Sequence, residues 1–228
     1  MKPKNVLVAL DLTAMDDHLL QYVHYLSKAF GDWSGLVLVH NVKHNFPEEV
    51  QLMLEDLDKT LDEFIREDLQ SRVETIFEDS DLPVSIEITE EASTSHAIAR
   101  VAREKKVDLV VAGKKVDYTG SGIVSARLIR LLEIPLLLIP EKAKLHLGKV
   151  VVGVDFSKHA ANALVYALNF REGMGAEVFC HHVYHIPMRY FPYIPTEDIS
   201  NSMLKNAEKA YGKFIRSIPA EKKAAGTP

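Results

Sequence analysis

Short apolar runs alternate along the chain with longer segments in which apolar residues recur every three or four positions. The runs predict strands at 5–11, 36–42, 84–89, 108–113 and 135–140, and the longer segments predict helices at 16–30, 47–77, 93–105 and 124–132. Continuous apolar runs are typical of strands covered on both faces. Because such strands alternate with helices, the pattern predicts an α/β fold with a doubly wound parallel sheet.

The same pattern restarts after a polar linker at 141–148. Residues 6–13 align with 150–157, and residues 39–44 align with 180–185, with three fewer residues between the two matches in the second copy. The second copy predicts strands at 149–155 and 177–183 and helices at 159–173 and 197–218. Nothing in it corresponds to residues 84–140. We therefore predict a complete domain over 1–142, the front half of a second domain over 149–218, and a polar tail over 219–228.

Composition and charge narrow the classes of function. The chain has 228 residues, of which 47% are hydrophobic and 26% charged, and a net charge of −5 without a basic patch, so nucleic acid is not an expected partner. No apolar run approaches the roughly 20 residues that span a bilayer, so we expect no membrane association. The first eleven residues resemble a strand rather than a signal peptide. The single cysteine, Cys180, excludes an intramolecular disulfide, and the expected location is cytoplasmic.

Three features together resemble the universal stress protein family. A strand that ends in Asp11 or Asp155 is followed by a small polar residue, a His-Val pattern closes the second strand, and Asp-Leu-Val-Val-Ala-Gly at 108–113 precedes a glycine-containing loop. The resemblance covers 4–140 at full domain length and 149–218 at half length. It implies a five-stranded parallel sheet in the order 3-2-1-4-5, of the adenine nucleotide alpha hydrolase-like type. It also implies a role in stress response, binding of ATP or another adenine nucleotide, and pairing through the last strand.

A ligand site is expected where the first and fourth strands end, because ligands of open parallel sheets bind at this switch point. Asp11 and Gly113 should face the same crevice. The resemblance implies that Asp11 and Val42 contact adenosine, and that Asp155 and Val183 hold the matching positions in the second copy. The predicted nucleotide-binding residues are Asp11, Val42, Gly113, Gly120, Ser121, Gly122, Asp155 and Val183.

The phosphate-binding loop departs from the family pattern. ATP-binding members carry Gly, two residues, Gly, nine residues, then Gly-Ser or Gly-Thr, whereas this chain has Val116 at the second glycine and only six residues between Gly113 and Gly120. A β-branched residue resists the positive φ that glycine permits, and a shorter loop cannot trace the same path around a triphosphate. No cofactor is therefore certain. ATP, another adenine nucleotide or a smaller anion remain alternatives.

Other interpretations of the same residues stay open. An Asp after a strand also caps helices, and Gly120-Ser121-Gly122 also suits a plain loop and helix cap. His182 and His185 are candidate metal ligands, but no Cys-x-x-Cys or His-Glu-x-x-His spacing accompanies them.

The leading hypothesis is a protein that acts by binding and association without robust catalysis. The alternatives are a dimerisation or interaction module that binds no nucleotide, and a nucleotide hydrolase or transferase. We expect a homo-oligomer formed through strand 135–140 or the open edge of strand 149–155.

Overall fold

The computed structural model describes residues 2–42, 60–115, 123–185 and 196–219. The chain divides into two compact units, one formed by Pro3–Leu145 and one that contains His146–Pro228. Each unit has a hydrophobic core of its own. None of the helices in these described ranges is long and apolar enough to cross a membrane.

The first unit is a parallel sheet flanked by helices. Its strands are β1 (Asn5–Leu10), β2 (Gly35–Asn41), β3 (Val84–Thr89), β4 (Leu109–Lys114) and β5 (Leu136–Pro140), and its helices are α1 (Met15–Phe30), α2 (Leu61–Ile76), α3 (Thr94–Glu104) and α4 (Ile123–Leu131). The strand order is β3-β2-β1-β4-β5 and every pairing is parallel. This confirms the predicted fold class. The strand order reverses between β1 and β4.

The central strands are apolar on both faces because helices cover both sides of the sheet. On one face Leu7 of β1 and Val37 of β2 are buried in a core with residues of α3 and α4, such as Ile98 and Leu128. Elsewhere in the unit, α1 packs against α2 and β4. Burial on both faces explains why these strands are continuous apolar runs rather than alternating ones.

The predicted helix over 47–77 is wrong as one continuous helix. α2 begins at Leu61, because Thr60 has extended backbone angles, with φ −80° and ψ 156°. Thr60 Oγ1 accepts the Glu63 N–H at 3.3 Å, and Glu63 Oε2 accepts the Thr60 N–H at 2.8 Å. This reciprocal pair is a capping box, which marks the start of a helix. Residues 43–59 lie outside the described ranges. The other predicted elements begin and end within two residues of the observed ones.

The second unit repeats a strand-helix-strand arrangement. It contains β6 (Lys149–Gly153), α5 (Lys158–Met174), β7 (Glu177–His181) and α6 (Thr196–Ser217), and β6 pairs with β7 in parallel. One face of the two strands packs against α5 and α6 in a core that includes Val152, Leu164 and Phe214. The opposite face is open to solvent, and Val151 on it is 66% exposed.

The two units share unusual backbone features at matching places. Leu12 and Phe156, each directly after the strand-ending aspartate, have φ of 58° and 66°. Gly31 and Gly175 end α1 and α5 with φ 67° in both cases. Non-glycine residues rarely adopt positive φ, so its recurrence at both aspartates is a specific structural likeness.

A histidine contact fixes how the second strands correspond. His40 Nδ1 donates to the Leu10 carbonyl at 3.0 Å, and His182 Nδ1 donates to the Val154 carbonyl at 2.7 Å. The histidine follows its carbonyl partner by 30 residues in the first unit and by 28 in the second. The counterpart of His40 is therefore His182, and the predicted alignment of His40 with His181 is off by one residue. On these contacts the second unit is shorter than the first by two residues between the matched positions, not the predicted three.

Candidate functional site

A cavity of about 730 Å³ opens in the first unit where β1, β2 and β4 end. This is the switch point at which open parallel sheets bind ligands, and the volume lies within the usual range for small-molecule sites. Most of the lining is apolar. The lining groups that bear on chemistry are Asp11, Thr13, Asp16, His40, Asn41 and Lys115.

Asp11 presents a carboxylate held by two donors. Thr13 Oγ1 donates to its Oδ1 at 2.6 Å, and Lys115 Nζ donates to its Oδ2 at 2.7 Å. Partial burial opposes ionisation, but the hydrogen bonds from Lys115 and Thr13 and the lysine charge outweigh it, so the pKa of Asp11 lies below its ordinary value. The side chain is nevertheless exposed. Asp11 is therefore an ionised acceptor at the mouth of the cavity.

Asp16 holds the turn that carries Asp11. It lies in the first turn of α1, is 2% exposed, and accepts the backbone N–H groups of Asp11 at 3.3 Å and Leu12 at 2.7 Å. Burial raises the pKa of Asp16 to about 6, and the negative charge of Asp11 raises it further, although the two N–H donors oppose the shift. The buried carboxyl group thus stabilises the positive φ of Leu12 and fixes where Asp11 points.

The β2 side of the cavity is braced by buried polar contacts. Asn41 Oδ1 accepts the Thr89 hydroxyl at 2.8 Å and the Glu91 N–H at 2.9 Å, while Asn41 Nδ2 donates to the Glu91 carbonyl at 2.9 Å. The Val42 N–H donates to the Thr89 carbonyl at 2.7 Å. The backbone N–H of Val42 is thus used by the fold, and a ligand would contact other parts of this residue.

Gly113 lies at the end of β4 beside a methionine from α1. A Cβ at this position would lie 2.8 Å from Met15 Cε, which is closer than real Cβ atoms approach their neighbours. The space next to the Gly113 backbone is therefore filled by the Met15 side chain. From this side, a ligand phosphate could approach the Gly113 backbone only if the flexible methionine changed rotamer.

A match to a family model shows which protein family the chain belongs to. The model of the Universal stress protein family matches residues 2–140. This chain belongs to the universal stress protein family. No curated protein matches the sequence.

A solved universal stress protein shares the fold at low sequence identity, and two others are similar over about 60% of the chain. The universal stress protein of Archaeoglobus fulgidus DSM 4304 is 17% identical and aligns over 92% of this chain and 74% of its own, with a TM-score of 0.63. A family member from Burkholderia pseudomallei is 22% identical over 60% of this chain and 96% of its own, with a TM-score of 0.43. The universal stress protein of Archaeoglobus fulgidus in complex with dAMP is 17% identical over 61% and 99%, with a TM-score of 0.42.

In this universal stress protein the cavity brings together three of the predicted site residues, Asp11, Val42 and Gly113. Gly120, Ser121 and Gly122, together with Val116, lie outside the described residues.

Asp155 and Val183 belong to the second unit. Asp155 Oδ1 accepts the Ser157 N–H at 2.9 Å, and the Ser157 hydroxyl and N–H together lower the pKa of Asp155. Val183 is largely exposed. It follows His182 as Asn41 follows His40, so Val183 is not the counterpart of Val42, which is Tyr184.

The candidate metal ligands do not form a cluster. His182 donates through Nδ1 to the Val154 carbonyl, and its ring lies 4.4 Å from that of Phe156. Within the described ranges, no group of three or more His, Cys, Asp or Glu side chains could hold a metal ion. His182 therefore has a structural contact that His40 reproduces in the first unit.

Three site residues escaped the sequence analysis: Met15, Asp16 and Lys115. Lys115 contacts a carboxylate 104 positions earlier in the chain, so no local pattern announces the pair. Asp16 lies in α1, and a charged side chain in a helix is normally predicted to be exposed to solvent. Its burial accompanies its two hydrogen bonds to the Asp11 and Leu12 N–H groups, which no sequence pattern indicates.

Proposed function

We propose that the first unit binds an adenine nucleotide or a related small anion and that the protein acts in stress response by binding and association, without robust catalysis. The observation that carries the proposal is an ionised Asp11 at the mouth of a 730 Å³ cavity, at the strand ends where nucleotides bind in such folds. The single cysteine, Cys180, fits a reducing compartment such as the cytoplasm.

The chemistry of the lining agrees with a nucleoside. A carboxylate at this point of a parallel sheet can accept hydrogen bonds from ribose hydroxyls. The apolar side chains of Val42, Ile65 and Ile98 line the same cavity and can cover an adenine ring. Asp11 would supply orientation, and the apolar wall would supply most of the buried area.

The test compares two equivalent aspartates. Adenosine and AMP are titrated calorimetrically into the wild-type protein, Asp11→Asn and the matched control Asp155→Asn. We expect Asp11→Asn to weaken both ligands about tenfold to a hundredfold, because a hydrogen bond to a charged group is lost, and Asp155→Asn to leave affinity unchanged. Mass spectrometry of the denatured protein should reveal any nucleotide that co-purifies. Equal affinity in wild type and Asp11→Asn contradicts the proposal.

Two contacts favour a second candidate, an interaction module that binds no nucleotide. Met15 fills the space beside Gly113, and Lys115 already pairs with Asp11. Association would then be the working property, through β5 at the edge of its sheet or through the edge of β6 that has no partner strand among the described residues. No heat of binding at millimolar ATP, with a dimer in sedimentation velocity, supports this candidate. A monomer at all concentrations argues against association in either case.

The second unit we propose to be the front half of another universal stress protein-like domain. Its support is the shared strand-helix-strand order, the positive φ after Asp11 and Asp155, and the two histidine contacts to strand-end carbonyls. Among its described residues, the second unit has no counterpart of β4 or of Lys115, which line one side of the cavity in the first unit. We therefore assign nucleotide binding to the first unit.

A further inference from the structure

Lys115 brings a cation into the cavity at a defined place. It is the only Lys or Arg among the described residues that line the cavity, and its side chain is 25% exposed. Its Nζ lies 2.7 Å from Asp11 Oδ2, and the residue follows Gly113 by two positions, where the glycine-rich phosphate loop of ATP-binding relatives would begin.

We propose that Lys115 binds the α-phosphate of an adenine mononucleotide. The inference rests on the proposed function, because it takes Asp11 as the group that holds the ribose. An ammonium in contact with that carboxylate lies within one sugar width of the ribose, where the 5′ oxygen carries its first phosphate. The four-carbon stem lets the ammonium move between the two partners.

The groups around Lys115 favour an anion at the proposed phosphate position. Val124 and Ser125, in the first turn of α4, line the cavity, and Thr94 in the first turn of α3 does too. Helix starts offer unpaired N–H donors and a partial positive charge, which add to the lysine. The other acidic group in the lining, Asp16, is buried and directs its oxygens to the Asp11 and Leu12 N–H groups. Negative charge is therefore concentrated at the ribose end.

When a nucleotide binds, each member of the ion pair between Lys115 and Asp11 exchanges the other for a group of the ligand. In the protein alone, Lys115 Nζ donates to Asp11 Oδ2. With nucleotide bound, the lysine contacts phosphate and the carboxylate contacts ribose hydroxyls. A ligand that offers only one of these groups breaks the pair and satisfies one partner alone. The site should therefore prefer AMP to adenosine and to inorganic phosphate. The β- and γ-phosphates of ATP extend beyond this single ammonium and should add little.

Calorimetric titration of the full chain with adenosine, AMP, ATP and inorganic phosphate tests the assignment. We expect AMP to bind about tenfold more tightly than adenosine, as one charge-assisted contact allows, and ATP to stay within about threefold of AMP. Lys115→Met should bring AMP down to the affinity of adenosine. Lys115→Arg, which keeps the charge, should retain a preference for AMP.

Lys114→Met is the matched control, because Lys114 is the neighbouring lysine, is exposed, and does not line the cavity. It should keep the wild-type preference. If adenosine and AMP bind equally to the wild type, or if Lys115→Met keeps the preference, the lysine assignment is overturned while the proposed function stands. If neither ligand binds the wild type at millimolar concentration, both are overturned. Retained adenosine binding by Lys115→Met shows that this variant is folded.

Discussion

The first and second units use the same local design with different surroundings. Both have a strand that ends in aspartate, a residue of positive φ, a helix that ends in a left-handed glycine, and a histidine that donates to the carbonyl before the aspartate. The first unit adds a buried acid, Asp16, and a lysine partner, Lys115, to its aspartate. At the position of Asp16, the second unit has Ala160.

The residues that the turn requires differ from those that a binding site requires. Phe156 keeps its positive φ without a buried carboxylate, so the turn itself does not require Asp16. The pairing of Asp11 with Lys115 depends on β4, which brings a second strand end beside β1. An aspartate at a strand end is therefore a shared structural feature, and it becomes a candidate binding group only where the fourth strand completes the crevice.

The largest expected difference concerns Leu7 and Val151, which occupy matching positions in β1 and β6. Leu7 is fully buried under α3 and α4, whereas Val151 is 66% exposed. Leu7→Ala should lower the free energy of unfolding of the first unit by about 2–5 kcal/mol, because it leaves a cavity. Val151→Ala should change that of the second unit by no more than about 0.5 kcal/mol.

Urea unfolding measures the two variants unit by unit. The single tryptophan, Trp33, lies in the first unit and reports its unfolding by fluorescence, and hydrogen exchange of α5 reports the second. A large cost for Val151→Ala would mean that this face is covered in solution. The contrast between a covered and an open sheet face would then fail.

A smaller effect is expected on the pH dependence of stability, because Asp16 titrates and its counterpart Ala160 does not. Because the pKa of Asp16 is raised from 3.8 to about 6, the folded unit binds an additional proton between these values, and ionisation of the group costs stability. Its contribution is fully present below about pH 4 and is lost as pH rises through 6. As the pH rises from 4 to 7, the wild type should lose this contribution, whereas Asp16→Asn, which does not titrate, should not. The unfolding free energy of Asp16→Asn should therefore rise by about 2–3 kcal/mol relative to that of the wild type over this range.

The measurement is urea unfolding followed by Trp33 fluorescence at several pH values for both proteins. The sign of the slope matters more than the offset, because asparagine also loses one of the two backbone hydrogen bonds at every pH. Parallel stability curves would show that Asp16 does not titrate in this window, and would remove the main electrostatic difference between the two turns.

The sequence predicted the sheet well because buried parallel strands and amphipathic helices have distinct periods. It failed where a short signal overrode the period: Thr60 and Glu63 form a capping box, so α2 starts there although apolar spacing continues back toward Pro47. It also failed in the second copy, where His181 and His182 are adjacent and a one-residue slip leaves the pattern intact. Only the contact of His182 with the Val154 carbonyl resolves that register.

The sequence predicted some of the residues that line the cavity. Position at the strand ends was enough to select Asp11 and Gly113, since topology alone brings these ends together. The partners of Asp11 were beyond a local pattern, because Lys115 acts across a long-range contact and Asp16 is defined by its burial. Residues far apart in sequence acquire chemistry together only through the packing that the strand order creates.

The smallest expected effect compares Thr13 with Ser157, the hydroxyl residues two positions after each aspartate. Ser157 is the N-cap of α5 and accepts the Ala160 N–H at 3.1 Å, whereas α1 has Ala14 as its N-cap and no side-chain cap. Ser157→Ala should therefore cost the second unit about 1 kcal/mol, seen as faster hydrogen exchange in the first turn of α5.

Thr13→Ala should cost the first unit less than half as much, because the Thr13 hydroxyl donates to the exposed Asp11 carboxylate rather than capping a helix. Its effect should instead fall on Asp11, whose pKa rises when a donor is removed. Equal destabilisation of the two units would mean that both hydroxyls act mainly on their helices. Thr13 would then have no separate role in presenting Asp11 to the cavity.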